Sequence, residues 1–415
     1  MATQSRVQSR FFTFAATDHE RFALESGQAF GPITLAYETY GRLNEARDNA
    51  ILVLHALSGS QHAAGYNPAL PVAGRLWTDE CHVGWWDTFI GPGRALDTSE
   101  YFIVCANYFG GCYGSTGPAS INPQTRKPYG GAFPALSIGD VVRTQLRLLD
   151  HLNIDSLLAA IGGSLGGVMA LDLALRCPDR VRGVIPIAAG VRATTLHKLH
   201  NFEQIFAIET DPLYNRGDFY DADPPHNGLI LARMISHKTF VHLHVMEDRS
   251  RHEIVQEAND LALYSLQDQI ESYMLHQGKK FVTRFDANTY LRIVQMWQRV
   301  DLARDYGDGE LVCALRRCRG QRHLIFSVDS DVCFWPEEQA EIAGALKEAG
   351  VDHQYLTVHS DKGHDSFLLE PELYTPAISY FLRECAQERR LARRIAGREA
   401  LKGRKKPTWV HARAG

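Results

Sequence analysis

The segment 157–177, which reads LLAAIGGSLGGVMALDLALRC, constrains the fold of this 415-residue chain more than any other segment. An apolar run typical of a buried strand ends at Gly162, and an amphipathic helical pattern runs from Gly166 to Cys177. Between them lies a G-x-S-x-G motif centred on Ser164, in which the turn is so tight that side chains two residues to either side would collide. Because both of those positions are glycine, we expect the Ser164 hydroxyl to project above a sheet at the N-terminus of a helix, where backbone N–H groups favour negative charge.

Two other interpretations fit a glycine-rich strand–turn–helix segment. The turn can simply pack closely, or it can bind a phosphate. A dinucleotide-binding fingerprint would require glycine at position 164, which is serine here. We therefore interpret Ser164 as a candidate nucleophile.

Further short apolar runs, bounded by Gly, Asn, Asp or Ser, have the length and composition of buried strands. Some of them alternate with helical patterns, at Asp140–Leu152 and Gly166–Cys177. This alternation is typical of an α/β protein with a mostly parallel sheet that helices cover on both faces. The predicted strands are Ile33–Tyr40, Ala50–Ala56, Tyr101–Tyr108, Leu157–Gly162, Gly183–Ala189, His323–Val328 and Gln354–Val358.

The stretch 191–319 differs from its surroundings because it is helix-rich, contains many charged residues and shows no clear strand. We interpret it as a helical insertion, so the predicted α/β core comprises residues 15–190 and 320–385. The tail 386–415 contains ten Lys or Arg and two Glu, a balance of +8 in a chain with a net charge of -4. Such a tail can bind RNA, a membrane surface or an anionic cofactor, and the simpler interpretation is a solvated, partly disordered end.

Composition limits the class of protein. Hydrophobic residues make up 45% and charged residues 22% of the chain, so it can bury a large core without disulfides or a metal. The eight cysteines show no C-x-x-C spacing and no zinc pattern with histidine, so we expect reduced thiols and no metal site. The N-terminus lacks a secretory signal and no long apolar run is present, so we expect a cytoplasmic protein without a membrane partner.

A serine nucleophile needs a base, and in this strand–turn–helix setting an acid and then a histidine follow the serine along the chain. His364 lies on a glycine-containing loop past the predicted strand Gln354–Val358, and we prefer it to His359, which sits at the strand end. Because side chains alternate along a strand, only one of Asp329 and Asp331 can point at the histidine. We favour Asp331, which lies further into the loop, although an Asp after a strand commonly only forms a turn or caps a helix.

The second hydrogen-bond donor to a tetrahedral oxyanion is expected in a loop after an early strand. The predicted strand Ala50–Ala56 leads into such a loop, so the backbone N–H groups of Leu57 and Leu165 are the expected pair. We assign structural or pocket-lining roles to the nearby His55 and His62.

Several segments, in order along the chain, resemble the homoserine O-acyltransferase family of the α/β-hydrolase superfamily. The resemblance covers about residues 15 to 385 and is far more specific than the serine motif alone. The segments are HALSGSQH at 55–62, GWWDTFIGPGRALDT at 84–98, NYFGGCYGSTGPASINP at 107–123, FPALSIGDVV at 133–142, GGSLGG at 162–167, LARMISH at 231–237, RFDANTYL at 284–291, SDVCFWPEEQ at 330–339 and GHDSFLLE at 363–370.

The resemblance implies an α/β-hydrolase fold and a homodimer with the helical insertion as its surface. Because transfer requires that water is largely excluded, we also expect the insertion to serve as a lid. The resemblance implies Ser164 as nucleophile, Asp331 as acid and His364 as base. It also implies that Arg233 and Asp365 hold the amino-acid substrate. This chemistry is consistent, because Arg binds a carboxylate with two hydrogen bonds and Asp pairs with an ammonium group.

One position bears on the acyl donor. Succinyl-specific members commonly have Arg two residues after the acid, where this chain has Cys333. Burying the carboxylate of succinyl-CoA without a cation is costly, so Cys333 favours acetyl-CoA, although a cation elsewhere can substitute. In members of this family the segment around the nucleophilic serine commonly reads GGSMGGMQ. Here Leu165 replaces the methionine and keeps the same backbone N–H donor, whereas Val168 and Met169 change the shape of the nearby pocket.

The expected activity is ping-pong transfer of an acetyl group from acetyl-CoA to the γ-hydroxyl of L-homoserine, in methionine biosynthesis. Acetyl-CoA is then a co-substrate, with no bound cofactor and no nucleic-acid partner. The alternatives are a homoserine O-succinyltransferase, a serine O-acyltransferase, an esterase or thioesterase on the same fold, and a catalytically inactive binding module.

Overall fold

The computed structural model describes residues 5–252 and 261–403. Seven of its strands lie where the sequence predicts them, with β4 matching in both bounds and the others shifted at their ends. The strands are β1 (Arg10–Phe14), β2 (Phe22–Ala23), β3 (Ala29–Phe30), β4 (Ile33–Tyr40), β5 (Ala50–Leu54), β6 (Phe102–Ala106), β7 (Leu157–Gly163), β8 (Val181–Ile187), β9 (Arg322–Val328) and β10 (Asp352–Val358).

Eight of these strands form the central sheet, in the order β1-β4-β6-β5-β7-β8-β9-β10, and β2 pairs with β3 separately. From β6 to β10 all neighbouring pairs are parallel, whereas β4 is antiparallel to both β1 and β6. The predicted mostly parallel sheet is therefore confirmed.

The sheet begins before the predicted core boundary at residue 15. β1 pairs antiparallel with β4, with Phe14 opposite Ile33. β1 is a short edge strand whose side chains are exposed or half-buried, so it lacks the continuous apolar run by which the buried strands were recognised.

Helices cover both faces of the sheet and connect its parallel strands. The helices are α1 (Ile138–His151), α2 (Leu165–Arg176), α3 (Thr195–Glu209), α4 (His226–Phe240), α5 (Leu243–His252), α6 (Gln269–Val282), α7 (Ala287–Gln298), α8 (Leu302–Gly307), α9 (Leu311–Leu315), α10 (Pro336–Ala349), α11 (Ser366–Leu369) and α12 (Pro371–Gly403).

Alternation along β5 shows how the two faces are buried. Leu52 and Leu54 belong to the same buried cluster as residues of α1 and α2, whereas Ile51 and Val53 pack in the cluster that contains Phe381 of α12. Because side chains of successive residues point to opposite faces, a continuous apolar run is what a doubly covered strand requires.

The helical insertion corresponds to α3–α9, between β8 and β9. It packs against the segment that carries His364. A Cβ on Gly363 would lie 2.8 Å from the backbone nitrogen of His242, just after α4. The insertion therefore touches the loops at the carboxyl edge of the sheet, where ligands bind in open α/β sheets.

The basic tail begins inside α12, and residues 404–415 of the tail lie outside the described part of the chain. Glu388 of this helix pairs with Arg182 and Arg322, and its Oε1 lies 3.2 Å from Arg322 Nη1. At least this part of the tail is held against the core. Within the described ranges, no helix has both the length and the apolar character needed to cross a bilayer.

Replacing Gly166 with alanine is expected to destabilise the protein strongly. A Cβ at this position would lie 2.1 Å from the Leu54 carbonyl oxygen, which is backbone and cannot rotate away. We expect a loss of about 3 kcal/mol in the free energy of unfolding, measured by chemical denaturation. The matched control is Gly344→Ala in α10, where a Cβ meets no atom within 4 Å, and which should stabilise by roughly 1 kcal/mol. Equal effects of the two changes would contradict this account.

Candidate active site

Ser164 occupies the turn between β7 and α2. Its φ is 57° and its ψ is -129°, a conformation that costs a non-glycine residue roughly 1–3 kcal/mol and that the surrounding structure must impose. Its N–H donates to the Ile187 carbonyl at the end of β8 over 2.9 Å, and Gly166 lies directly against Leu54 at the end of β5. These contacts hold the serine side chain at the carboxyl edge of the sheet.

Asp331 follows β9, and both oxygens of its carboxylate are engaged. Oδ1 accepts hydrogen bonds from the backbone N–H groups of Cys333 (2.7 Å) and Phe334 (3.0 Å). Oδ2 lies 2.7 Å from His364 Nδ1, and both residues are buried. Because a carboxylate can only accept, Nδ1 carries the hydrogen, and the lone pair of a neutral His364 ring is then on Nε2.

The electrostatics of His364 suit a base. Burial by itself lowers the pKa of His364, but the charge and hydrogen bond of Asp331 outweigh it, so the pKa lies above its ordinary value. Nε2 is buried and makes no hydrogen bond to any described residue. It is the nitrogen that remains available to accept a proton.

One aromatic ring links the serine turn to the histidine loop. A Cβ on Gly163 would lie 2.4 Å from the Phe367 ring, so the ring rests directly against the residue before Ser164. The same ring packs edge-on to His364 with centroids 5.5 Å apart, and the Trp86 indole donates to the Phe367 carbonyl over 2.8 Å. The structure thus brings all three predicted triad positions to one edge of the sheet.

The alternative acid and base pair with each other instead. Asp329 Oδ2 lies 2.8 Å from His359 Nδ1, and the two side chains are 43% and 85% exposed. This contact lies at the surface, whereas Asp331 and His364 are buried. The geometry therefore favours Asp331 and His364.

The loop after β5 presents the predicted oxyanion donor. Leu57 is buried, and within the described ranges no hydrogen bond uses its N–H. Leu165 is the first residue of α2, and its N–H belongs to the first turn, which has no intrahelical acceptor. His55, just before this loop, stacks on Tyr108 at 3.6 Å, and burial lowers its pKa to about 4. A neutral, stacked His55 agrees with the structural role assigned to it.

Arg233 and Asp365 line the same buried region as His364. The Arg233 guanidinium lies 5.3 Å from the Phe240 ring centroid, and that ring packs 5.9 Å from His364. Burial raises the pKa of Asp365, against the opposing effects of His364 and Arg233. Among the described residues, neither side chain makes a hydrogen bond or an ion pair of its own. A half-buried cation and a half-buried carboxylate that lack hydrogen-bonding and ionic partners among the described residues are suited to a ligand that carries both charges.

Arg284 is a further cation here that the sequence analysis did not single out. Its guanidinium lies 5.1 Å from the Phe281 ring centroid, and Arg233 lies 4.8 Å from the same centroid. Its Nη1 is 3.5 Å from the Ser58 carbonyl, across a sequence separation of 226 residues. A local sequence pattern cannot predict a contact between residues so far apart along the chain.

Cys333 is buried behind the acid, and the charged groups that act on its thiol are the carboxylates of Asp331, Glu338 and Asp365. Its carbonyl accepts a hydrogen bond from His197 Nε2 over 2.6 Å, and burial raises the pKa of its thiol well above the ordinary value. The adjoining cavity is about 10 Å³ in volume, which is room for about one water molecule. Its lining contains no Lys or Arg and comprises His197, His200, Asn201, Gln204, Ser236, Thr239, Phe240, Trp297 and Cys333.

Comparison with known proteins places the chain in a family. A family model for the alpha/beta hydrolase fold matches residues 49–371. The homoserine O-acetyltransferase of Solidesulfovibrio magneticus is 41% identical over 378 residues, which cover 91% of this chain and 92% of that protein. The chain belongs to the homoserine O-acyltransferase family.

Family members with either acyl donor in their name are similar to the chain. The homoserine O-succinyltransferase of Alkalilimnicola ehrlichii is 39% identical, covering 89% of this chain and 94% of that protein. Among solved structures, the homoserine O-acetyltransferase from Bacillus anthracis has a TM-score of 0.79 at 25% identity, covering 91% of this chain and 98% of that chain. The structure of esterase E22 has a TM-score of 0.78 at 26% identity, covering 91% of this chain and 100% of that chain. The fold of the family is therefore shared with a hydrolase.

The contact between Asp331 and His364 generates a kinetic prediction. In Asp331→Asn, the amide no longer fixes the His364 tautomer, so the rate of CoA release should fall by about 10⁴-fold. The rate of the residual activity should begin to fall at a lower pH than in the wild type. The reason is that the carboxylate that raises the pKa of His364 is gone, so His364 becomes protonated only at lower pH. Pre-steady-state CoA release across pH measures both effects.

The matched control is Asp329→Asn, which removes only the surface pair with His359. It should leave both the rate and the pH profile unchanged. If the two variants lost the same activity, Asp331 would not be the acid that orients the base.

Proposed function

We propose that the protein transfers an acetyl group from acetyl-CoA to the γ-hydroxyl of L-homoserine, as a step of methionine biosynthesis. The observation that carries the proposal is the placement of Arg233 and Asp365 beside His364, both half-buried and, among the described residues, without a hydrogen-bonding or ionic partner. The carboxylate and ammonium groups of L-homoserine complement these two charges. Relatives named homoserine O-acetyltransferase, 41% and 42% identical over most of the chain, support the same substrate pair.

In the first half-reaction, His364 Nε2 takes the proton of Ser164, and Oγ attacks the thioester carbonyl of acetyl-CoA. The Leu57 and Leu165 N–H groups stabilise the negative charge on the tetrahedral oxygen. Collapse of this intermediate breaks the C–S bond, and the His364 imidazolium gives its proton to the departing CoA sulfur. The product is an acetyl ester on Ser164.

In the second half-reaction, L-homoserine enters with its carboxylate on Arg233 and its ammonium on Asp365. His364 Nε2 accepts the proton of the γ-hydroxyl, whose oxygen attacks the acetyl ester. When this second tetrahedral intermediate collapses, His364 returns the proton to Ser164 Oγ. Holding the acceptor on two charged groups gives it the high effective concentration that transfer needs in competition with water.

Acetyl is the proposed acyl group because the surroundings of Cys333 are small and lack Lys or Arg. The carboxylate of a succinyl group would lose its hydration there without gaining a cation. The helical insertion serves as the lid that limits access of water. The proposal includes no bound cofactor and no nucleic-acid or membrane partner, and it places the enzyme in the cytoplasm with its small-molecule substrates.

A homodimer is part of the same proposal. One face of α3 exposes three large apolar side chains, Leu199, Phe202 and Phe206, which are 56%, 60% and 58% exposed. Contiguous exposed apolar surface of this kind marks a protein interface more often than a solvated face. A second copy of the insertion is the proposed partner for this face.

The substrate proposal is tested by CoA release in a two-by-two design. Acetyl-CoA or succinyl-CoA is combined with L-homoserine or L-serine, and free thiol is followed. We expect fast release only with acetyl-CoA plus L-homoserine, and none in Ser164→Ala. A third acceptor, 3-aminopropan-1-ol, is L-homoserine without its carboxylate and should be a poor acceptor, because it cannot engage Arg233.

Each contrary result identifies the part of the proposal that fails. Fast turnover of succinyl-CoA would overturn the role assigned to Cys333. Release of CoA at the same rate with every acceptor, or with none, would indicate a thioesterase. Equal use of L-homoserine and 3-aminopropan-1-ol would remove Arg233 from substrate binding.

The dimer is tested by light scattering during size-exclusion chromatography. The wild type should have about twice the mass of the 46.5 kDa chain, and Phe202→Asp combined with Phe206→Asp should give the monomer mass. The control is Ile121→Asp, which changes a side chain of 59% exposure outside the insertion. A wild-type monomer would refute the proposed interface.

A further inference from the structure

A buried polar cluster lies beneath the loop that carries Leu57, and the proposed chemistry does not use it. Its centre is Glu38 of β4, a carboxylate with no solvent exposure. The loop runs from Ala56 to Ala64 and is called the oxyanion loop below. The cluster, called the Glu38 cluster, comprises Ser9, Glu38, Tyr40, Gln61, His62 and Asn67.

Four donors surround the Glu38 carboxylate. Oε1 accepts from the Ser9 hydroxyl (2.7 Å) and the Asn67 amide (3.3 Å). Oε2 accepts from the Tyr40 hydroxyl (2.7 Å) and lies 2.8 Å from His62 Nδ1. A buried carboxylate with this many donors is satisfied rather than strained.

The contacts of His62 fix the number of protons in the pair. Its Nε2 lies 3.0 Å from the His82 carbonyl, which can only accept, so Nε2 carries a hydrogen. A neutral ring with its hydrogen on Nε2 has a lone pair on Nδ1, and that lone pair would face the Glu38 carboxylate. The 2.8 Å contact therefore requires a second proton, shared between Glu38 and His62.

Two further titratable groups among the described residues lie against this pair, and both are uncharged. They are Tyr40 on β4 and Cys105 on β6, and burial raises the pKa of each well above its ordinary value. Neither of these two groups supplies a charge that could replace the shared proton. Without that proton, a carboxylate oxygen and an imidazole lone pair would face each other over 2.8 Å between two buried side chains, which is an unfavourable contact.

The pair is tied directly to the oxyanion loop. The Tyr40 oxygen, held by Glu38, accepts the backbone N–H groups of Ala63 (2.8 Å) and Ala64 (3.1 Å). His62 itself belongs to the loop. On the other side, the Ser60 carbonyl accepts from the Trp85 indole over 2.9 Å. The C-terminal half of the oxyanion loop is therefore anchored, and Leu57 lies near the N-terminal end of the loop.

We propose that the proton shared by Glu38 and His62 locks the oxyanion loop, so that the two residues are positioning residues for the Leu57 N–H. They contact no reacting atom, and their effect should fall on the rate of acyl transfer to Ser164 rather than on substrate affinity. An oxyanion donor displaced by a small distance loses much of its effect, because the stabilisation depends on donor geometry in the transition state.

The test uses the burst of p-nitrophenol when Ser164 is acylated by p-nitrophenyl acetate. This half-reaction needs neither CoA nor an amino acid, so its outcome does not depend on the proposed substrates. Glu38→Leu should reduce the acylation rate constant by about 100-fold, similar to loss of one oxyanion donor. The KM for the ester should change little. Glu38→Asp, which withdraws the carboxylate from His62, should show an intermediate loss and serves if the leucine variant does not fold.

Glu38→Gln distinguishes positioning from bulk destabilisation. Its amide can donate to Nδ1 of a neutral His62, whose Nε2 hydrogen still binds the His82 carbonyl, so no shared proton is needed. Acylation should then be within about fivefold of wild type, the effect of one ordinary hydrogen bond. The control is Asp172→Leu, which removes another buried carboxylate, bonded to Arg176 and Tyr306. Asp172 lies near the end of α2, and its bonds to Arg176 and Tyr306 do not involve the oxyanion loop, so this variant should lower the melting temperature without slowing acylation.

Three results would overturn the proposal. The first is a folded Glu38→Leu or Glu38→Asp variant whose acylation rate constant equals that of the wild type. The second is an equal reduction of this rate constant in Asp172→Leu and Glu38→Leu. The third is a Glu38→Gln variant that is acylated as slowly as Glu38→Leu. Slowing of both leucine variants in proportion to their loss of stability would show that Glu38 only supports the fold. Failure of the homoserine assay alone would leave this test unaffected.

Discussion

The contact between the start of α2 and the end of β5 is the constraint on which the rest of the site depends. Gly166 sits so close to the Leu54 carbonyl that no side chain fits between them. The same contact forces the turn at Ser164 into its strained conformation and brings the first N–H groups of α2 beside the loop after β5. The contact between Gly166 and the Leu54 carbonyl thus positions the serine and both proposed oxyanion donors. The packing of the buried strands on either side offsets the backbone strain at Ser164.

Much of this arrangement could be predicted locally, because buried parallel strands are apolar along their whole length and the serine turn needs glycine at fixed positions. β4 was predicted with its observed bounds. β1 was not, because an edge strand is stabilised by its pairing with β4 rather than by its own apolar character. The choice of Asp331 over Asp329 followed from depth in the loop, and the surface contact of Asp329 with His359 is consistent with it.

Local sequence patterns could not predict contacts between segments that are distant along the chain. Glu38 lies in ITLAYETY, where an isolated carboxylate in a strand normally indicates a solvated position. It is buried because the loop around His62 and the N-terminal segment with Ser9 cover it. Arg284 is similar in that it contacts the Ser58 carbonyl, 226 residues away along the chain. In both cases the sequence supplies the charged residue, and only the tertiary structure shows which groups surround it.

The same fold occurs in an esterase, so the serine, acid and histidine do not by themselves separate transfer from hydrolysis. We propose that the distinction lies in the charges beside them. An esterase acting on neutral esters has no use for a half-buried guanidinium and carboxylate, whose partial desolvation costs free energy while the site is empty. In the proposed reaction, an acceptor that carries a carboxylate and an ammonium group offsets that cost by pairing with Arg233 and Asp365. Binding energy from these remote groups can then hold the acceptor hydroxyl at the acyl ester, which is how transfer competes with abundant water.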